Sequence, residues 1–173
     1  MIRKLISRVL NMAICLIAVA AALLIGLYLM GVRSYVVRSG SMEPAVGTGS
    51  LCFVDTGVSF ESIGVNDIIA YDTSLKQHIL HRVVAVHPEG LETKGDANDR
   101  SDGISTNENN YLGKCIFDLP YLGYAAAFVQ TKKGFFLCVS GLVGMFLCSC
   151  LVRGKEDGRA VRKCRKAISG NKP

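Results

Sequence analysis

Charge is sparse in this 173-residue chain. Asp, Glu, Lys and Arg make up 20% of it and hydrophobic residues 50%, a balance that excludes disorder over most of the length. The length leaves no room for two large domains. Residues 1–33 hold four basic residues and no acid, and from Val9 to Val32 there is no charge at all. The net charge of +6 first suggests nucleic acid, but the middle of the chain argues against that partner. Residues 34–132 hold seven basic residues against twelve acids, while residues 153–173 hold eight against two. A net acidic folded part does not grip a phosphate backbone. Cysteine is scarce in the same middle stretch. Of the seven, Cys15, Cys138, Cys148 and Cys150 lie in apolar runs and Cys164 in the basic tail. Cysteine in such runs behaves as a small hydrophobe, and Cys148-x-Cys150 is too closely spaced for a convincing metal site. Cys52 and Cys115 remain, enough for one disulfide whose geometry the sequence leaves open. Internal repeats and an amphipathic helical period are missing as well.

Apolar sequence is what the chain has in quantity. The 24 uncharged residues from Val9 to Val32 would span roughly 36 Å as a helix, enough for a hydrocarbon core of about 30 Å. A cleaved secretory signal has a shorter apolar region and a small-x-small site before the mature domain. This run is too long and has no clean site, so it reads as an anchor. A second uncharged run, Gly134–Val152, has 19 residues and would reach about 28 Å. A buried helical hairpin would also explain it, but Arg153 and the polar tail that bound it favour a span. Both ends of the chain are basic, which places both in the cytoplasm and residues 34–132 on the far side.

The expected organisation is a cytoplasmic N-terminus (1–8), a first membrane helix (9–32), an extracytoplasmic domain (33–133), a second membrane helix (134–152) and a basic cytoplasmic tail (153–173). The tail is expected to be solvated and disordered near anionic lipid.

The exported segment reads as β structure. Ser50–Asp55, Asp67–Tyr71 and Ile79–Val86 are short apolar or β-branched runs bounded by turn residues. His87-Pro88-Glu89-Gly90 is a turn signal, and Leu91–Lys94 is the return strand. Asp96–Asn110 is expected to be loop and Tyr111–Phe117 a further strand. The fold class is mainly β: a small, strongly bent antiparallel sheet or barrel-like domain flanked by the two membrane helices.

Three polar clusters sit on this framework. Ser39-Gly40-Ser41-Met42-Glu43-Pro44 follows shortly after the first span, and by composition alone it is a turn. His81-Arg82-Val83-Val84 opens with a histidine on a strand. Lys94–Gly103 is a loop crowded with acids. An EF-hand register on that loop fails, because Arg100 falls where an oxygen ligand is required. A weaker, irregular cation site is the remaining alternative. The hairpin adds geometry: if Val86 pairs with Leu91, His81 faces Asp96 with Cβ atoms about 5 Å apart. A one-residue slip destroys that pairing.

Taken together, Ser39–Pro44, Asp67-Ile68-Ile69, His81-Arg82-Val83-Val84, Thr93-Lys94-Gly95-Asp96 and Pro120-Tyr121-Leu122-Gly123 resemble the type I signal peptidases. They stand in that family's order. The match is to the ER-type branch also found in archaea and some Gram-positive bacteria, and it runs to about Lys133. The resemblance implies Ser41 as nucleophile and His81 where the bacterial-type enzymes have a lysine base. It implies Asp102 as the orienting acid, with Asp96 in support and Asp99 as an alternative in a loop that departs from the common pattern. Hairpin geometry prefers Asp96. An imidazole with an ordinary pKa of about 6.5 can take a serine proton at physiological pH and return it to a leaving amine. A carboxylate fixes its tautomer. The Ser41 N–H and, by resemblance, the Ser39 hydroxyl are the expected oxyanion donors. No metal or organic cofactor is required. Lys94 as a Ser-Lys base would need a strongly lowered pKa, and Lys76, His78 and His87 have no assigned role.

The resemblance implies hydrolysis of signal peptides from exported preproteins, close to the membrane surface. The lipid bilayer and accessory membrane subunits are the expected partners. The active domain would lie outside a prokaryotic cell, or in the ER lumen of a eukaryotic one; the second span and the basic tail look more like the prokaryotic members. The competing reading is a non-enzymatic, membrane-anchored β domain that binds a protein partner or an ion.

Overall fold

The computed structural model describes the backbone of residues 2–73 and 77–169. The chain forms two units, Met1–Leu24 with Lys132–Pro173, and Ile25–Thr131.

The second unit is the β domain. Its strands are β1 (Val32–Val36), β2 (Leu51–Asp55), β3 (Ile68–Asp72), β4 (His78–His87), β5 (Gly90–Lys94), β6 (Ile104–Thr106) and β7 (Tyr111–Leu119). They make one antiparallel sheet in the order β1-β2-β7-β3-β4-β5-β6. The small bent sheet expected from the sequence is therefore present as a curled half-barrel, with β1 and β6 as its edges.

Apolar runs rather than strict alternation mark the central strands because both faces are covered. On β2, Leu51 and Phe53 pack with Val32 on one face, joined by Ala126 of helix α2 (Leu122–Gln130). Cys52 and Val54 pack with Ala70 on the other face. On β3, Ile69 and Tyr71 join Ile63, Val83 and Leu91 in the main core. Each such aliphatic side chain contributes roughly 1.5–3 kcal/mol by leaving water.

Several elements differ from expectation. β1 begins at Val32, inside the stretch assigned to the first span. β6 lies within the expected loop Asp96–Asn110, and α2 has no counterpart in the sequence reading. The β4–β5 hairpin starts in the expected register, Val86 opposite Leu91, and Ala85 still faces Glu92. A bulge then leaves Val84 over, so Val83 pairs with Thr93 and Arg82 with Lys94. The expected facing of His81 and Asp96 is lost by that single residue.

Helix α1 (Ile2–Leu29) stops at Gly31, whose φ of +89° is a left-handed termination open to glycine. The Gly31 carbonyl then accepts from the Thr56 N–H at 3.2 Å and the Thr56 hydroxyl at 2.7 Å. Helix α3 runs from Lys132 to Ser169. The tail expected to be disordered is thus helical as far as Ser169, since extending an existing helix needs no new nucleus. Leu5–Leu29 and Lys132–Cys150 are long and apolar enough to cross a membrane. Within the first unit, Ser149 Oγ donates to Asn11 Oδ1 at 2.7 Å.

Candidate active site

Ser41 sits on a turn that its neighbours hold from several directions. After β1, the Val37 N–H bonds to the Ser50 carbonyl and the Gly49 N–H to the Val37 carbonyl, both at 2.9 Å. Met42 is 1% exposed and Val46 2%, and the Val46 N–H donates to the Met42 carbonyl at 2.9 Å. Glu43 Oε1 accepts from the Thr48 hydroxyl at 2.9 Å and its N–H at 3.2 Å. These bonds hold the Glu43 carboxyl below the usual range. Composition alone suggested a turn; the structure shows an anchored one that carries the Ser41 Oγ. Ser39 Oγ lies 3.3 Å from it.

His81 enters from β4 and is buried, its side chain only 8% exposed. Its Nε2 is 3.2 Å from Ser41 Oγ and its Nδ1 is 2.5 Å from Asp102 Oδ2. Asp102 comes from the loop after β5, and its own N–H donates to the Thr93 carbonyl at 2.9 Å. A hydroxyl, an imidazole and a carboxylate therefore stand in line. The imidazole can take a proton on one nitrogen while the carboxylate holds the other.

The remaining acids are arranged differently. Asp96 takes a two-point ion pair from Arg82, Nε to Oδ1 at 2.8 Å and Nη2 to Oδ2 at 2.6 Å. Arg82 Nη1 also reaches the Asn66 carbonyl at 2.9 Å. The guanidinium holds the Asp96 carboxyl well below the usual range, and Asp96 in turn raises Arg82. Asp99 is exposed. Gly95, between these motifs, packs its backbone against the Ser41 turn, and the Ala97 N–H donates to the Ser41 carbonyl at 2.9 Å. Lys94 stays in the β ladder opposite Arg82. His78 pairs with Asp72 at 2.5 Å and His87 with Glu92 at 3.2 Å. Lys76 lies outside the described residues.

A cleft of about 850 Å³ opens beside Ser41 and His81, walled by Tyr35, Val37, Cys52, Ala70 and Leu80 among others. Pro120–Gly123 lies behind this region: the Gly123 N–H donates to the Gly49 carbonyl at 2.9 Å. A Cβ at Gly123 would come 2.4 Å from the Ser50 carbonyl oxygen, so only glycine packs there. Cys52 and Cys115 are free thiols. A hydrogen bond to Cys115 and burial push the Cys52 thiol well up, and the same bond lowers Cys115.

Sequence reading missed two groups at this site, Tyr71 and Thr93. Both reach Asp102 Oδ2, Thr93 Oγ1 at 2.8 Å and Tyr71 Oη at 3.3 Å. The available signal was a hydroxyl within an apolar strand run (Tyr71) and at the head of the Thr-Lys-Gly-Asp motif (Thr93), since a buried hydroxyl must find a partner.

The comparisons with known proteins agree with one another. The sequence model of a family described as signal peptidase, peptidase S26, matches residues 8–112. The signal peptidase complex catalytic subunit SEC11 of Saccharomyces cerevisiae, in strains YJM789, RM11-1a and JAY291, is 32% identical over 124 residues. The aligned part covers 64% of this chain and 73% of SEC11.

Proposed function

The chain belongs to the signal peptidase family, peptidase S26, and on that premise we propose that Ser41, His81 and Asp102 carry out its reaction. The protein is a serine endopeptidase that cleaves signal peptides, a hydrolase of protein secretion. The family sets aside the non-enzymatic reading. The observation that best supports the choice of residues is the line from Ser41 Oγ through His81 to Asp102 Oδ2, at 3.2 and 2.5 Å.

Ser41 Oγ attacks the scissile carbonyl carbon while His81 Nε2 takes its proton. The tetrahedral oxyanion is met by the Ser41 N–H and the Ser39 hydroxyl. As the carbon–nitrogen bond breaks, His81 returns the proton to the departing amine, which becomes the new N-terminus of the mature protein. Water, deprotonated by His81 in turn, releases the signal peptide from Ser41. Asp102 keeps the imidazole in the tautomer whose Nε2 is free to accept. Asp96, held by Arg82, fixes the loop that carries these groups. The cleft beside Ser41 and His81 is where the substrate chain is proposed to lie.

The membrane reading has its own support. The Asn11–Ser149 hydrogen bond joins the beginning of one candidate span to the end of the other. Two spans joined in that way run antiparallel, which leaves both chain ends on one side. With basic ends in the cytoplasm, the β domain works on the far side, in the ER lumen if the source is eukaryotic. SEC11 is by name a subunit of a signal peptidase complex, and accessory membrane subunits are proposed for this chain too.

The test is direct. The detergent-solubilised protein is incubated with a preprotein beside its Ser41→Ala variant. Processing by the first alone is expected; equal processing by both would sink the assignment of Ser41.

A further inference from the structure

Three donors converge on one oxygen. Asp102 Oδ2 receives His81 Nδ1 at 2.5 Å, Thr93 Oγ1 at 2.8 Å and Tyr71 Oη at 3.3 Å. We propose that Thr93 and Tyr71 are positioning residues for the hydrolysis, holding Asp102 so that it in turn fixes the imidazole of His81. The inference rests on the reading of Ser41, His81 and Asp102 given above.

Asp102 needs such help because of where it lies. It sits in the loop Gly95–Gly103, with its side chain 26% exposed, and a loop carboxylate has many orientations of similar energy. The sheet does not. Tyr71 stands on β3 and Thr93 on β5, the two strands that flank β4 and its His81. Thr93 is 0% exposed and Tyr71 2%, so water does not compete for either hydroxyl. Thr93 grips Asp102 twice, by its carbonyl to the Asp102 N–H at 2.9 Å and by its hydroxyl to the carboxylate. A group held at two points on a strand cannot swing with the loop.

The proton directions follow from the neighbours. Ser105 Oγ lies 2.7 Å from Thr93 Oγ1 and can donate into it; of the two remaining acceptors, Tyr71 Oη at 3.2 Å and the carboxylate of Asp102 at 2.8 Å, the nearer and charged one takes the single Thr93 proton. Burial pushes the Tyr71 phenol up, beyond what its bonds to Thr93 and Ser105 take back. Tyr71 therefore keeps its proton and donates. Ordering Asp102 in advance lowers what the transition state must organise.

The ionisable groups around His81 are Asp102 from the loop, Tyr71 from β3, and Asp96 with its Arg82 partner. Removing a hydroxyl from Asp102 loosens the carboxylate that orients the imidazole, so the loss falls on kcat rather than on KM.

The experiment uses the full chain in detergent, a preprotein substrate, and the variants Thr93→Val, Thr93→Ser and Tyr71→Phe. Ser41→Ala and Asp102→Asn stand beside them, and melting curves are recorded for all. Thr93→Val is expected to lower kcat about tenfold with KM little changed and to be rescued by Thr93→Ser. Combined with Asp102→Asn it is expected to cost nothing more, because its effect runs through that carboxylate. An inactive Ser41→Ala with a Thr93→Val variant that matches wild type in kcat would overturn the proposal. Full additivity with Asp102→Asn would overturn it as well. Activity retained by Ser41→Ala would instead refute the underlying reading. Should Thr93→Val fail to fold, Tyr71→Phe decides by the same additivity test.

Discussion

Gly95 lies against the carbonyl of Ser41: a Cβ built at Gly95 would stand 2.6 Å from the Ser41 carbonyl oxygen and 2.7 Å from Asn98 Nδ2. The Lys-Gly-Asp and Ser-Gly-Ser motifs, more than fifty residues apart in the chain, meet through this backbone contact. The loop that carries the acids is thereby seated on the turn that carries Ser41.

Gly95→Ala is therefore expected to push the two motifs apart. The backbone shift should cost about 1–3 kcal/mol and lower kcat roughly a hundredfold, as small misplacements of reacting groups do. Thermal melts and preprotein cleavage measure the two effects. A variant with wild-type activity would show that the contact does not position Ser41.

The two acids of this loop are expected to separate in their effects. Asp102→Asn should lower kcat by roughly 10²–10⁴-fold, the range seen when an orienting carboxylate is removed, with little change in melting temperature. Asp96→Asn should act mainly on stability, since its partner is Arg82. Steady-state kinetics beside melting curves distinguishes them, and the reverse pattern would exchange their roles.

The Arg82–Asp96 pair also sets a pH dependence. Arg82 lowers the Asp96 carboxyl in the folded protein, so the folded state binds fewer protons here than the unfolded one. The contribution is full above the ordinary carboxyl pKa of about 3.9 and is lost as pH falls through the lowered folded value. Arg82→Ala is expected to remove about 2 kcal/mol at pH 7 and progressively less toward the acid end. Denaturant melts of both proteins from pH 7 down to about 2, across and below the ordinary carboxyl value, check it; a difference that grows on acidification would contradict it.

The paired thiols are expected to react unequally. Cys52 is 0% exposed and raised, Cys115 is partly exposed and lowered, and the thiolate is the nucleophile. Limited alkylation of the folded protein followed by peptide mapping should find the label on Cys115 well ahead of Cys52. Equal labelling would contradict this order.

Much of the fold was legible because burial writes itself into sequence. Leu51–Asp55 and the core of β3 are apolar on both faces and stand out between polar turns. The missed elements lacked such contrast. β1 follows the first span so closely that its Val32 extends the apolar run. β6 has three residues. α2, with Leu122, Tyr124, Ala125, Ala126, Ala127, Phe128 and Val129 in nine positions, has too few polar residues to show a helical period. Ser41 and His81 lay within recognisable motifs, but the distance between them is a tertiary fact. Hairpin geometry pointed to Asp96 because periodicity does not reveal a bulge of one residue, the one at Val84.

Three donors already crowd the oxygen of Asp102 that faces His81. All three bonds are made to the charged carboxylate, so on the proposed mechanism the proton drawn from Ser41 stops at the imidazole. The chemistry moves a single proton at a time. Cleavage rates in mixtures of light and heavy water, where chemistry limits, should then fall on a straight line with the deuterium fraction.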